Sequence, residues 1–489
     1  MSARAKTLLA TFVCAALAFP ARAELPDAMR SALRAAGLPE DSVGAVVIRA
    51  RDGAAVLEHR SAESMQPAST LKPLTALVAL ERLGPAYRGR TELRATGDAV
   101  DGVLRGHLVL RGLGNVDFDW RAFERLLGAL RLQGVREIDG DFIVDLSWFR
   151  PGRTDIGALP FDAEPEFRYN VIPDALLLNT YLIDLDIVSR GEALRMITSP
   201  ALEAVIVLQD FTLVERDCRD WEDGWKIPAV SASADGGVTI KVRGEFPREC
   251  TATTSINVID RIAFADRLFR SLWRHMGGTF RGRTREAVAP ADSRIVAEHV
   301  SRPLSQVVID VNKRSDNPIT RVVYLTLGAR SSAGEDLDTA RRAEREVRQW
   351  FAEHSIGTRG LVLDNGSGLS RSERITPAQL AAVLRAGLAS PWAPEFLATF
   401  PIVGVDGAMR GRLKGTAAAQ ARIKTGTLRD VSAIAGYVKD ETGDTHIVVA
   451  MINNPLAEGK VARPILDALI EWVARRSPQG PDPAPARAY

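Results

Sequence analysis

The chain has 489 residues, 46% of them hydrophobic and 25% charged, which is enough apolar material for two or three domain cores and excludes a disordered or fibrous protein. Sixty-three Lys and Arg face 61 Asp and Glu, a formal net charge of +2; without the three cations of the first 23 residues, 60 basic side chains face 61 acidic ones. So even a balance creates no global positive field for nucleic acid or anionic lipid and directs attention to a small molecule or a peptide as the partner.

At the N-terminus, Arg4 and Lys6 precede an apolar run from Leu8 to Phe19, and Ala21-Arg22-Ala23 places small residues at cleavage spacing. This pattern predicts an export signal over residues 1–23, removed after Ala23. The apolar run is about 12 residues, short of the ~20 that a spanning helix needs, and no other stretch is long enough, so the mature chain is expected to carry no transmembrane segment. Cys14 follows the bulky Val13, which argues against lipidation. In an oxidising compartment the two remaining cysteines, Cys218 and Cys250, predict one disulfide. His59, His107, His275, His299, His354 and His446 show no metal-ligand spacing, and neither a metal nor an organic cofactor is expected.

In chain order, Leu25 to Leu38 reads as a helix, followed by a hairpin of Val43–Ala50 and Ala54–His59 around Arg51-Asp52-Gly53. A second helical pattern begins near Ser69 and runs from Leu71 to Leu83. Between about Thr91 and Arg285 the texture changes to short β-like runs, among them Gly106–Leu110, Ile138–Asp145, Ala204–Leu208 and Val238–Val242. Thr376, Pro377 and Gln379 form a capping-box signature opening the helix Ile375–Leu388. Ala421–Leu428, Val431–Val438 and His446–Asn453 are strand-like, and Ala462–Arg475 is helical. Five antiparallel strands drawn from opposite ends of the chain, with helices on both faces, predict an α+β fold. The domain reading is a discontinuous catalytic unit over 24–90 and 286–476, an insert over 91–285 in two subdomains, and a disordered Pro- and Ala-rich tail over 477–489.

Three motifs carry the chemistry: Ser69-Thr70-Leu71-Lys72, Ser315-Asp316-Asn317 and Lys424-Thr425-Gly426. Alone, Ser69 is an N-cap and the second motif a turn; together the three are roughly a one-in-a-hundred accident. Three residues separate Ser69 from Lys72, about one helical turn, which brings amine and hydroxyl onto one face. A serine hydroxyl needs a neighbour to take its proton, and Lys72 serves only if burial or a second cation, for which Lys424 is the candidate, lowers its pKa. Ser315 is read as a proton relay and Asn317 as a grip on substrate, both on a polar loop. Residues 423–428 read as an edge strand able to pair with an extended peptide, with Gly426 allowing close approach. Lys424 and Thr425 are read as binding a terminal carboxylate, and the Ser69 and Thr427 N–H groups as an oxyanion hole. Gly366-Ser367-Gly368 is read as a structural turn, with Ser367 and Ser370 merely near the cleft.

With Asp364-Asn365-Gly366-Ser367-Gly368-Leu369-Ser370-Arg371 and Pro401 to Gly407, these motifs make the chain resemble the penicillin-binding D-alanyl-D-alanine carboxypeptidase/endopeptidase group, low-molecular-mass class C. The resemblance covers residues 25–83 and 300–454. It implies a β-lactamase/DD-peptidase-like domain carrying smaller β-rich domains, a serine DD-peptidase acting on peptidoglycan stem peptides in the periplasm, and acylation by β-lactam antibiotics. Two departures stand out: Gly112-Leu113-Gly114-Asn115 replaces the family's Gly-Asp-Pro element, and Ala408-Met409 its Thr-Leu. A β-lactamase and an inactive wall-binding homologue are the alternative readings; no deacylating base is evident for the first, and the intact motifs oppose the second.

Overall fold

A computed structural model describes residues 24–332 and 337–477. The expected export signal and the tail beyond Ser477 lie outside the described residues. At its centre is a five-stranded sheet of β1 (Val43–Arg49), β2 (Ala55–His59), β3 (Arg422–Leu428), β4 (Val431–Lys439) and β5 (Thr445–Asn453). The strand order is β3-β4-β5-β1-β2, antiparallel throughout.

The alternation of strand side chains sorts the core into two layers. From β5, Ile447, Val449 and Met451 enter one buried cluster, whereas Val448, Ala450 and Ile452 enter the other. The first layer packs against α2 (Lys72–Leu83), α3 (Leu304–Lys313), α4 (Asn317–Arg330) and α5 (Pro377–Ala389). The second packs against α1 (Asp27–Ala35) and α6 (Gly459–Ala474). The first helix is shorter than the expected 25–38, because Pro26 precedes it and the chain turns at Gly37 with φ +68°. The predicted capping box is present: Thr376 Oγ1 accepts from Gln379 N, and Thr376 N donates to Gln379 Oε1.

The chain leaves this unit after α2 and forms four further sheets, of three to five strands, before returning. One is a five-stranded sheet in the order 284–286, 142–145, 108–113, 90–95 and 294–300. Residues 294–300, which the sequence reading assigns to the catalytic unit, pair with Arg90–Ala95. The expected single run Ile138–Asp145 is two strands, Glu137–Ile138 and Phe142–Asp145, in different sheets. Phe118, Phe123, Phe142, Phe264, Phe269 and Trp273 build a separate core here. Cys218 and Cys250 are joined in a disulfide, with Cα atoms 5.2 Å apart. Among the described residues no helix is long and apolar enough to cross a membrane.

Candidate active site

Ser69 lies in a 3-10 turn, Ala68–Leu71, that runs directly into α2, so it precedes the α-helix by three residues. The turn is pinned from two sides. Gln66 N donates to Asn453 Oδ1 at 2.8 Å, and Asn453 Nδ2 donates back to Gln66 O at 3.1 Å. On the other side β3 presses close: a Cβ built on Gly426 would lie 2.8 Å from Pro67 O and 2.9 Å from Ser69 N, so this position admits no side chain without movement.

Lys72 opens α2, and its side chain is wholly buried. Nζ donates to Ser69 Oγ at 2.7 Å, to Asn317 Oδ1 at 2.6 Å and to the Ser367 carbonyl at 2.7 Å. Three acceptors hold the amine in one position. Burial lowers its pKa to about 7, against the opposing pull of Glu373 and then Asp316. Burial is thus the cause, where the sequence reading gave Lys424 a share. The charge effect is seen at Lys424, whose pKa falls well below the usual lysine value through burial and then through Lys72.

Lys424 Nζ donates to Ser315 Oγ at 3.0 Å and to the Thr425 carbonyl at 2.6 Å. In β3, Ile423 points into the second core layer, so its neighbour Lys424 faces the opposite side, where Ser69 lies. Ser315 joins α3 to α4 with φ +58°, a strained value for a serine, and it aims its hydroxyl at the lysine. Asn317 is not on a loop: it is the first residue of α4, buried, with Asp316 as N-cap accepting from Ile319 N at 2.8 Å. Asn317 Nδ2 donates to Tyr169 O at 3.0 Å, and Arg168 Nη2 lies 2.8 Å from Asp316 Oδ2. A short segment of the insert therefore braces the second motif.

The Gly366-Ser367-Gly368 turn is more than structural. The Ser367 carbonyl is one of the three Lys72 acceptors, which corrects the reading of Ser367 as a bystander. Gly368 has φ +79°, and a Cβ there would come within 1.9 Å of Ala68 O. Only glycine lets this turn lie against the Ser69 turn. Ser370 is linked through its carbonyl, which accepts from Gln66 Nε2 at 3.0 Å.

Ser69, Ser315, Asn317 and Thr427 line an open cleft of about 490 Å³, walled by Tyr169, Asp162 and Glu164 from the insert and by Leu369 and Arg371. A second cavity of about 400 Å³ adjoins it, sharing Phe161, Leu369 and Arg371. The Arg371 guanidinium lies 4.8 Å from the Phe161 ring centroid, a cation–π contact between the two cavities. Sequence reasoning missed Tyr169 and Glu373. Tyr169 uses only its backbone carbonyl toward Asn317, so its identity carries no signal there.

A hydroxyl, a buried amine and a second lysine–serine pair thus converge on one cleft beside an edge strand, an arrangement chemically able to activate a serine. The D-Ala-D-Ala carboxypeptidase 3 (S13) family model matches residues 25–476. The chain is 28% identical over 462 residues to a D-alanyl-D-alanine carboxypeptidase of Actinomadura sp., covering 89% of this chain and 82% of that protein. It is 24% identical over 424 residues to the D-alanyl-D-alanine carboxypeptidase DacB of Haemophilus influenzae, covering 85% and 86%. In fold it is similar to the crystal structure of penicillin binding protein 4 from Haemophilus influenzae, with a TM-score of 0.74 at 21% identity over 92% of this chain and 99% of the other.

Proposed function

The chain belongs to the D-Ala-D-Ala carboxypeptidase 3 (S13) family and is a serine-type carboxypeptidase; on that premise we propose that it works through an acyl-enzyme on Ser69. Lys72 in its neutral form accepts the Ser69 proton as Oγ attacks the carbonyl between the two D-alanines of a peptidoglycan stem peptide. The resulting oxyanion is held by the backbone N–H groups of Ser69 and Thr427. The C–N bond then breaks, and the departing D-alanine amine takes the proton that Lys72 accepted, relayed through Ser315, whose hydroxyl Lys424 holds. Water hydrolyses the ester and releases the trimmed peptide. Lys424 and Thr425 bind the terminal carboxylate, Gly426 admits the substrate backbone, and Asn317 grips it while fixing Lys72.

The observation that carries this reading is the 2.7 Å contact from Lys72 Nζ to Ser69 Oγ at a buried amine whose pKa is about 7. An amine poised there supplies both protonation states near neutrality, which is what general-base catalysis needs. The two adjoining cavities support a further activity: the main cleft holds one strand of a crosslink and its neighbour the other, so crosslinked stem peptides are cut as well as free ones. Export to the periplasm follows from the leader in the sequence and places the enzyme with this substrate. β-Lactams, whose strained amide mimics the scissile one, acylate the same serine.

The test is intact-protein mass spectrometry after incubation with a penicillin, together with D-alanine release from a pentapeptide. The wild-type chain gains one adduct and releases D-alanine, and Ser69→Ala does neither. An adduct persisting on Ser69→Ala would remove Ser69 as the nucleophile.

A further inference from the structure

One buried ionisable group has no part in the chemistry above. Glu373 is fully buried beneath the 364–370 turn. Its Oε1 accepts from the backbone N–H groups of Asp364 at 3.3 Å, Asn365 at 3.0 Å and Gly366 at 2.7 Å, and its Oε2 accepts from Gly368 N at 2.9 Å. Four donors from one turn thus converge on one carboxylate. The carbonyl between the last two of those donors, that of Ser367, points the other way and accepts from Lys72 Nζ at 2.7 Å.

We propose that Glu373 is a positioning residue for the reaction: its carboxylate templates the 364–368 turn so that the Ser367 carbonyl meets the Lys72 amine, and its negative charge steadies the ammonium form of that amine. The geometry explains why a carboxylate is needed. An acceptor-only group satisfies four converging N–H donors, whereas an amide of the same shape would turn an NH₂ toward one of them. Burial raises the Glu373 pKa to about 7, offset in part by the Gly366 N–H, while the negative charge of Asp364 pushes further up. The other groups within electrostatic reach are Arg321, Tyr324 and Lys72, each of which responds to Glu373. Around Lys72 itself stand Glu373, Asp316 and Lys424, and of the two carboxylates Glu373 acts more strongly. Burial lowers the amine's pKa, and Glu373 is the stronger of the two charges that limit the fall, without touching substrate.

This inference rests on Ser69 acylation assisted by Lys72, and its test separates the two. The second-order rate of penicillin acylation is followed against pH by intact mass for wild type, Glu373→Gln and Glu373→Asp. In wild type the rate rises with pH as Lys72 loses its proton. Glu373 gains its charge over the same range in which Lys72 loses its proton, so Glu373→Gln removes the charge from the upper part of the limb and moves the acid limb to lower pH by about half to one unit. The plateau rate falls roughly ten- to hundredfold as the turn loses one of its tethers. Glu373→Asp keeps the charge on a shorter arm, so its limb stays near the wild-type position while its plateau falls. A Glu373→Gln limb that does not move, or a Glu373→Asp plateau equal to wild type, overturns the proposal. If Glu373→Gln does not fold, the Glu373→Asp plateau decides. A wild-type chain that takes no adduct sinks the parent reading, and this one with it.

Discussion

Lys424 Nζ lies 3.0 Å from Ser315 Oγ, and Lys72 Nζ lies 2.7 Å from Ser69 Oγ, so the cleft holds two amine–hydroxyl pairs of like construction. Both amines are buried, and each pair joins side chains from different motifs or adjacent turns. One pair suits activation of the attacking oxygen, the other protonation of the leaving nitrogen.

The first prediction concerns the attacking pair. With the Lys72 pKa lowered to about 7, only the neutral amine accepts a proton, so acylation rises through about pH 7 and levels above it. Lys72→Arg places a group there that stays charged at every accessible pH. Its acylation rate should fall by roughly 10²- to 10⁴-fold and lose that pH dependence, read by stopped-flow with a chromogenic β-lactam.

A second prediction contrasts two contacts of the brace from the insert. The Arg168–Asp316 ion pair has its Arg side chain 46% exposed, and Arg168→Ala should change stability by less than about 1 kcal/mol in a denaturant titration. Asn317→Ala removes a buried amide that joins Lys72 to Tyr169 O, taking one of three acceptors from Lys72 and that donor from Tyr169 O. It should cost roughly 1–3 kcal/mol and most of the acylation rate.

Gly368→Ala is the third. The left-handed backbone at φ +79° and the 1.9 Å approach to Ala68 O both oppose a side chain, and backbone lies on both sides of the clash. The Ser69 and Ser367 turns must separate. The expected outcome is a loss of about 1–3 kcal/mol and near-complete loss of D-alanine release, measured on the same preparation.

The disulfide gives the fourth. Cys218 and Cys250 close a loop across a separation of 32 residues, and such a loop stabilises by roughly 3–4 kcal/mol on the chain-entropy model. Cys218→Ser with Cys250→Ser should lower the melting temperature of the insert in calorimetry. Acylation of Ser69 at 25 °C should persist, because neither cysteine lines the cleft.

The central sheet was legible in the sequence because its strands are bounded by turn residues and read as β-branched runs, and the helix over 377–389 because Thr376, Pro377 and Gln379 write its start. Strand edges of that sheet shifted by at most one residue, and α1 by more, since Pro26 and Gly37 outweighed the apolar pattern. Ser69, Lys72, Ser315, Asn317 and Lys424 were named from motif spacing, and the fold brings them within hydrogen-bonding reach of one another, whereas Thr425 meets them only through its carbonyl, which accepts from Lys424 Nζ. Glu373 was not, because a lone acid in a Ser- and Arg-rich stretch carries no periodic signature and its partners are backbone N–H groups, which every sequence supplies. The split of residues 138–145 between two sheets was hidden for a similar reason: the break falls at Gly140, whose Cβ position would meet the Gly106 carbonyl at 2.2 Å, a packing fact with no local trace.

In the sheet, β1 pairs along its whole length with β5, Val43 opposite Ile452 and Arg49 opposite His446, partners roughly four hundred positions apart. Its other neighbour, β2, is local, so only the pairing with β5 ties the two ends of the chain into one sheet. A chain cut short before β5 would therefore lack the strand that joins β1 to β3 and β4, and with it Asn453, which holds the turn carrying Ser69.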